Sequence, residues 1–317
     1  MKEDLVKAVD YGQKLGADYV EVRTQKLFKT LLTTKDGEVE AAKEGTENGA
    51  GIRVLAKGAL GFVTLGTLDP KLLKQAVEEA FKMAKAASFK VKTPVKLAET
   101  KAVEDRVVAK PRKDPREIPI KEKINVALAM DKAIFDYDRR VKSCTIDYLD
   151  LTGTNYFISS DGTYIEQDKL YVWSRILASA READVFTSGR EEIGSTAGFE
   201  VFDVETPEIV GTRIAKRVID QLNAKAPKGG TFPAVIGTNV VGVFIHEAFG
   251  HLAEADLTLS GSVLSDKLGK KIASEVVTVY DDGTVDGAFG SFKYDDEGVP
   301  AQKTLLIRNG EVAGLMH

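Results

Sequence analysis

Apolar residues recur at helical spacing from the start of the chain. Leu5, Val9 and Leu15 fall on one side of a helix expected over residues 2–15. The period then shortens. Tyr19-Val20-Glu21-Val22 and Leu27 to Thr34 read as strands, with Asp36-Gly37 as a hairpin turn. Ile52 to Leu55 and Leu60 to Thr64 read as two more. Asp69-Pro70 opens a second helix, a capping carboxylate followed by proline at the first helical position. Leu73, Val77, Ala80, Phe81 and Ala84 supply its buried stripe.

Between Pro94 and Pro119 lie four of the nine prolines, among lysines and arginines with no period, so residues 91–118 read as a linker or extended crossover. The pattern returns with a helix near 120–135. Strands follow at 141–151, 154–159, 163–177 and 183–188, with Asp161-Gly162 at a turn. Thr206-Pro207 repeats the cap-plus-proline start, and Val210, Ile214, Val218 and Leu222 form the stripe of the next helix. Helix, several strands, helix thus occurs twice. The repeat reads either as a structural duplication or as two α+β stretches that share common turn chemistry.

Ala226-Pro227-Lys228-Gly229-Gly230 marks a third segment. It is expected to hold a strand (Pro233 to Ile236), a very apolar helix from Thr238, and hairpin-like strands around Thr278, Tyr294 and Leu305 to Arg308. The Asn309-Gly310 turn signal comes so close to the last residue that a truncated product is expected. The expected fold class is α+β. An N-terminal domain covers 1–90, the linker 91–118, a central α+β domain 119–225, and an incomplete, β-rich C-terminal domain 226–317.

The third segment also carries the candidate chemistry. The chain has only three histidines, and two of them stand in His246-Glu247-Ala248-Phe249-Gly250-His251. The residues before them, Val240-Val241-Gly242-Val243-Phe244-Ile245, are apolar on every face, which predicts a buried helix. Imidazoles ligate zinc, and zinc makes a bound water acidic enough to serve near neutral pH. A neighbouring carboxylate can take the proton and return it to a leaving amine. His246 and His251 therefore read as metal ligands and Glu247 as the proton shuttle of an amide hydrolysis.

The spacing constrains the backbone. Residues five apart on an ideal α-helix lie about 140° apart around the axis. A shared ion therefore requires a π-bulge or a break, and irregular backbone is predicted at Phe249 to His251, where Gly250 permits it. The same trio also fits polar residues satisfied at a domain interface. Glu254 or Asp256 reads as an orienter of a ligand histidine, as a ligand, or as part of a solvated helix end. A third ligand is hard to find. Cys144 lies in an expected core strand, and His317 is the last residue.

Composition narrows the alternatives. Lys plus Arg is 44 and Asp plus Glu is 48, a net charge of −4, which gives no bulk attraction to nucleic acid or anionic membrane. One cysteine excludes an internal disulfide framework and suits a reducing, cytoplasmic setting. No apolar run reaches about 18 residues, so no transmembrane helix is expected. Gly49-x-Gly51 leads into a strand pattern, not a helix, so it is not read as a phosphate loop. Trp173 reads as sheet packing.

Taken with Ile272-Ala273-Ser274, Val277-Thr278-Val279, Asp281-Asp282-Gly283-Thr284 and Tyr294 to Thr304, the motif at 246–256 resembles the TldD/PmbA family of metallopeptidases, also called modulators of DNA gyrase. Gly51-Ile52-Arg53-Val54 and Gly61-Phe62 are similar to that family's N-terminal domain. The resemblance implies a zinc peptidase acting on unfolded peptides inside a closed two-subunit chamber. It implies zinc on His246 and His251, Glu247 as base, and a cysteine as third ligand. No cysteine follows His251, so that ligand is expected outside this chain. It also implies a homodimer, or a heterodimer with a related subunit. Some members lack the motif and serve as partners, which leaves a non-catalytic partner subunit as the competing reading.

Overall fold

The computed structural model describes residues 1–317, which divide into two compact units. The first comprises Met1–Ala224, Gly287–Phe289 and Tyr294–Val299. The second comprises Lys225–Asp286, Gly290–Lys293 and Pro300–His317. Helices and sheets mix as an α+β fold. No helix is long and apolar enough to cross a membrane.

In the first unit, α1 (Lys2–Lys14) precedes β1 (Tyr19–Lys35), β2 (Glu38–Ala56), β3 (Ala59–Leu65) and α2 (Pro70–Ala87). After the short β4 (Glu104–Val107) come α3 (Ile120–Tyr137), β5 (Val141–Ser159), β6 (Tyr164–Glu182), β7 (Val185–Ser195), α4 (Val201–Val204) and α5 (Pro207–Leu222). The sheet order is β3-β2-β1-β5-β6, and the outer edge of β6 carries both β7 and β4. Each half presents its first strand to the other, and β1 and β5 pair antiparallel from Glu21↔Ser159 to Lys35↔Thr145. The equivalence of the halves is one of topology: helix, three strands, helix.

Local chemistry sets the boundaries of these elements. Asp69 caps α2 by accepting from the backbone N–H groups of Lys71 (2.9 Å) and Leu72 (3.1 Å). Thr206 caps α5 through the Ile209 N–H. Between β1 and β2, Asp36 and Gly37 both take positive φ (50° and 85°), as the tight hairpin turn requires. The strands run longer than the alternation predicts. β1 continues through Arg23 to Lys26, and β5 bridges the expected break at 152–153. β4 forms inside the proline-rich stretch and pairs parallel with β6.

Even-numbered side chains of β1 face both helix pairs. Val20 and Val22 join Leu5, Val9, Leu73 and Val77 of α1 and α2 in one core. Leu32 joins Met130, Ile134, Val210 and Ile214 of α3 and α5 in another. On the opposite face, residues 287–289 and 294–299 contribute Phe289, edge-on to Tyr171 (5.4 Å between centroids). They also contribute Tyr294, whose backbone pairs with the Gln167 side-chain amide through bonds of 3.0 and 3.1 Å.

The second unit is smaller. It holds α6 (Thr238–Ile245), α7 (Ala255–Leu259) and a sheet of β8 (Val279–Asp282), β9 (Lys303–Arg308) and β10 (Glu311–Val312). Asn309 and Gly310, with φ of 49° and 83°, make the expected β9–β10 turn. The strand expected at 233–236 does not form; residues 231–237 take no regular structure. Around Tyr294 there is only an isolated bridge in place of a strand.

Candidate metal centre

The chain enters the site through α6, which ends at Ile245 and widens at once into a π-turn over His246–Gly250. The His251 N–H bonds to the His246 carbonyl, the five-residue closure of a π-helix. A single 3-10 turn, His251–Ala253, follows. The predicted irregularity is present and begins three residues earlier than expected. The extra residue in the turn returns side chains five apart to one side. The two imidazoles stand 4.5 Å apart between centroids, at 70° to one another.

Packing beneath the turn fixes which side faces out. Phe249 and Ala253 are buried with Leu264, Leu306, Ile307 and Val312 against the small sheet. The last residues of the chain lace the same turn, with the Met316 N–H bonded to the Ala253 carbonyl and the Ala255 N–H to the Met316 carbonyl, both at 2.9 Å. His246, Glu247 and His251 occupy the opposite, exposed side, and their ligand atoms all lie within 4.8 Å of one another.

Glu254 completes the arrangement. Its Oε1 lies 2.8 Å from His251 Nδ1. A carboxylate at Nδ1 favours the tautomer with its proton there and a lone pair on Nε2, one suited to metal ligation. Sequence alone left Glu254 and Asp256 equivalent. The 3-10 turn separates them: Asp256 Oδ1 instead accepts from the Leu257 N–H (2.9 Å).

The donor set fits a zinc-type cation. Two imidazole nitrogens on one zinc stand roughly 3.3 Å apart at tetrahedral angles. A cluster confined within 4.8 Å is therefore of the size one ion spans. Cys144 is not a member. It is fully buried in the α3–α5 core of the first unit, where burial first, then Asp131 and Asp36, push its thiol up.

One expectation is overturned. The apolar helix leading into the site is not buried: Val240, Val243 and Phe244 are 61%, 62% and 57% exposed, and α6 has no buried residue. Its residues favour burial, but within this chain no layer packs over them. The trio is accordingly exposed as well, and its clustering is not imposed by desolvation.

The sequence matches three family models in order along the chain: PmbA/TldA metallopeptidase domain 1 over residues 20–85, the central domain over 113–222 and the C-terminal domain over 229–317. It is 35% identical over 316 residues to a metalloprotease of Methanocaldococcus jannaschii, covering 99% of this chain and 68% of that protein. It is 28% identical over 307 residues to a zinc metalloprotease TldD homolog of Saccharolobus solfataricus, covering 96% and 66%. The chain thus spans about two thirds of the length of these relatives. In fold it resembles the crystal structure of a putative modulator of DNA gyrase from Thermotoga maritima. The TM-score is 0.83 at 19% identity, over 100% of this chain and 70% of that one. It also resembles TldE from Thermococcus kodakarensis, with a TM-score of 0.76 at 19% identity over 98% and 69%.

Proposed function

The chain belongs to the PmbA/TldD metallopeptidase family, and from that premise we propose that it is the metal-binding part of a zinc-dependent peptidase. The observation that carries the reading is the convergence of His246, Glu247 and His251 on one exposed side of a π-turn. His246 and His251 hold the cation, Glu254 orients His251, and a cysteine outside this chain completes the coordination. When bound, the cation supplies Lewis acidity that polarises the scissile carbonyl and acidifies water.

The remaining work falls to Glu247. Its carboxylate accepts a proton from the attacking water and delivers it to the departing amine nitrogen, so that C–O bond formation and C–N cleavage share one shuttle. The family resemblance makes unfolded peptides the proposed substrates. A second copy of the chain, or a related subunit, completes the working assembly in the cytoplasm. The competing reading, a non-catalytic partner subunit, draws support from the convergence of only three donors.

Metal content by mass spectrometry and hydrolysis of a reduced, alkylated protein test the proposal on the longest native polypeptide that contains this chain. The expected result is one zinc per chain, lost in His246→Ala and His251→Ala. Glu247→Gln is expected to retain the zinc and lose hydrolysis. Hydrolysis at wild-type rate by a Glu247→Gln protein excludes Glu247 as the base. A metal-free native protein that binds a related subunit without cleaving peptides establishes the partner reading.

A further inference from the structure

Along β1 the helix-facing side chains run Val20, Val22, Thr24, Lys26, Phe28, Thr30, Leu32. The ends belong to the two cores, Val20 and Val22 to that of α1 and α2, and Leu32 to that of α3 and α5. β5 shows the same interruption. Ile158 lies in one core with Tyr156 packed against it, Ile146 and Tyr148 lie in the other, and Asp150, Thr152 and Thr154 come between them. Along part of this stretch a valley of about 390 Å³ opens, lined by Lys26 to Phe28 of β1, Thr152 to Thr154 and Tyr156 of β5, Thr46 of β2, Arg116 and Met1. Of the polar residues here, Lys26 is exposed and Thr154 half-buried, whereas Thr24, Thr30 and Thr152 are buried.

The lining is chemically specific. Lys26 is exposed, and its cross-strand neighbours are Asn48 and Thr154, so no carboxylate of the ladder balances its charge. Arg116, by contrast, is already held by Asp114. Asp168, across from Thr154 on β6, is engaged by the Thr154 hydroxyl (3.2 Å) and the Ala109 N–H (3.2 Å). The rings of Phe28 and Tyr156 remain partly exposed along the floor. Thr152 is only 2% exposed, and its Oγ1 has no hydrogen-bond partner. A buried hydroxyl left unpaired is unfavourable, and a bound polar group would satisfy it.

We propose that this valley binds a small organic carboxylate with an apolar body. The acid sits on the Lys26 ammonium, the body lies along Phe28 and Tyr156, and the Thr152 hydroxyl bonds a second polar atom of the ligand. The volume suits a molecule of the size of a capped amino acid. The site is separate in sequence and chemistry from the histidine cluster and does not depend on the peptidase reading.

Titration of N-acetylphenylalanine, and separately of its amide, into the isotope-labelled full chain tests this by backbone amide shifts. The expected result is a saturable shift confined to residues 24–30, 116 and 150–158. The amide is expected to bind about tenfold more weakly, and Lys26→Gln to lose the acid to the same extent. Thr152→Val, which keeps the shape, weakens acid and amide alike. Lys71→Gln, in the lysine-lined groove between α1 and α2, binds as wild type, and unchanged shifts elsewhere show each variant folded. The proposal is overturned by no saturable shift up to about 10 mM acid, by equal affinity for acid and amide, or by wild-type binding in Lys26→Gln or Thr152→Val.

Discussion

Lys123 is the largest fully buried side chain of the protein, at 1% exposure in the first turn of α3. Its Nζ lies 2.6 Å from Asp150 Oδ2 and donates to Thr30 Oγ1 at 3.0 Å. The same Asp150 oxygen accepts from the Tyr148 hydroxyl at 2.7 Å. Lys123→Met keeps most of the apolar stem but leaves a carboxylate, itself 1% exposed, with one neutral donor. Breaking such a pair from one side costs about 3–5 kcal/mol, because the remaining charge stays buried. Asp150→Leu, which strands the ammonium, is expected to cost as much. The double variant strands only the Tyr148 hydroxyl, at about 1–3 kcal/mol. The two single costs therefore sum to about 6–10 kcal/mol, and the coupling in the cycle is at least about 3 kcal/mol. Trp173, the single tryptophan, lies on β6 of the same unit, so its fluorescence during urea unfolding follows the affected core. Single costs below about 1 kcal/mol, or additive ones, would refute the argument that burial of the survivor dominates.

Three further outcomes follow from the same geometry. On the proposed zinc site, Glu254→Gln should weaken zinc binding by about 10–100-fold in a chelator competition, whereas Asp256→Asn leaves it unchanged, since of the two only Glu254 contacts the proposed ligand His251; equal effects would contradict the assignment. Burial, opposed by a Gly37 N–H and reinforced by Asp36, raises the Asp131 carboxyl above its ordinary range. Its contribution to stability is complete below the ordinary carboxylate value and is lost as pH rises through the folded one, so Asp131→Asn should gain on wild type as pH rises above about 4 in thermal melts. Parallel melting curves would count against it. Gly310→Ala should loosen the β9–β10 hairpin by more than about 1–2 kcal/mol, read as faster amide exchange at Ile307 and Val312. The added Cβ combines a φ of 83° with a backbone oxygen of Ala273 at 2.3 Å.

What the sequence disclosed, and what it withheld, divides along the range of the interactions. Caps, stripes and hairpin turns are local, so Asp69, Thr206, Asp36-Gly37 and Asn309-Gly310 were legible with their roles. The histidine pair was legible for the same reason: five positions of chain and one hydrogen bond from His251 to His246 decide it. Strand length was not. Ala41 to Asn48 is almost wholly exposed, yet it stays in β2 because Lys26 to Thr33 of β1 supply a continuous ladder opposite. A backbone partner can hold a segment extended whatever its side chains prefer. β4 depends wholly on a strand 60 residues away. Lys123 shows the limit most plainly. A lysine inside a helix reads as solvated, and only Thr30, 93 residues distant, and Asp150 from another strand make its burial tolerable. α6 is the converse case. Val240, Val243 and Phe244 record a preference for burial, and a preference states nothing about whether a layer lies over it. The metal site sits at the junction of these two kinds of information. Its spacing and turn are written locally, while its exposure and the number of donors that reach it depend on what packs around α6 and the π-turn. Candidate ligands could therefore be nominated from residues 246–251, but the completeness of any coordination could not.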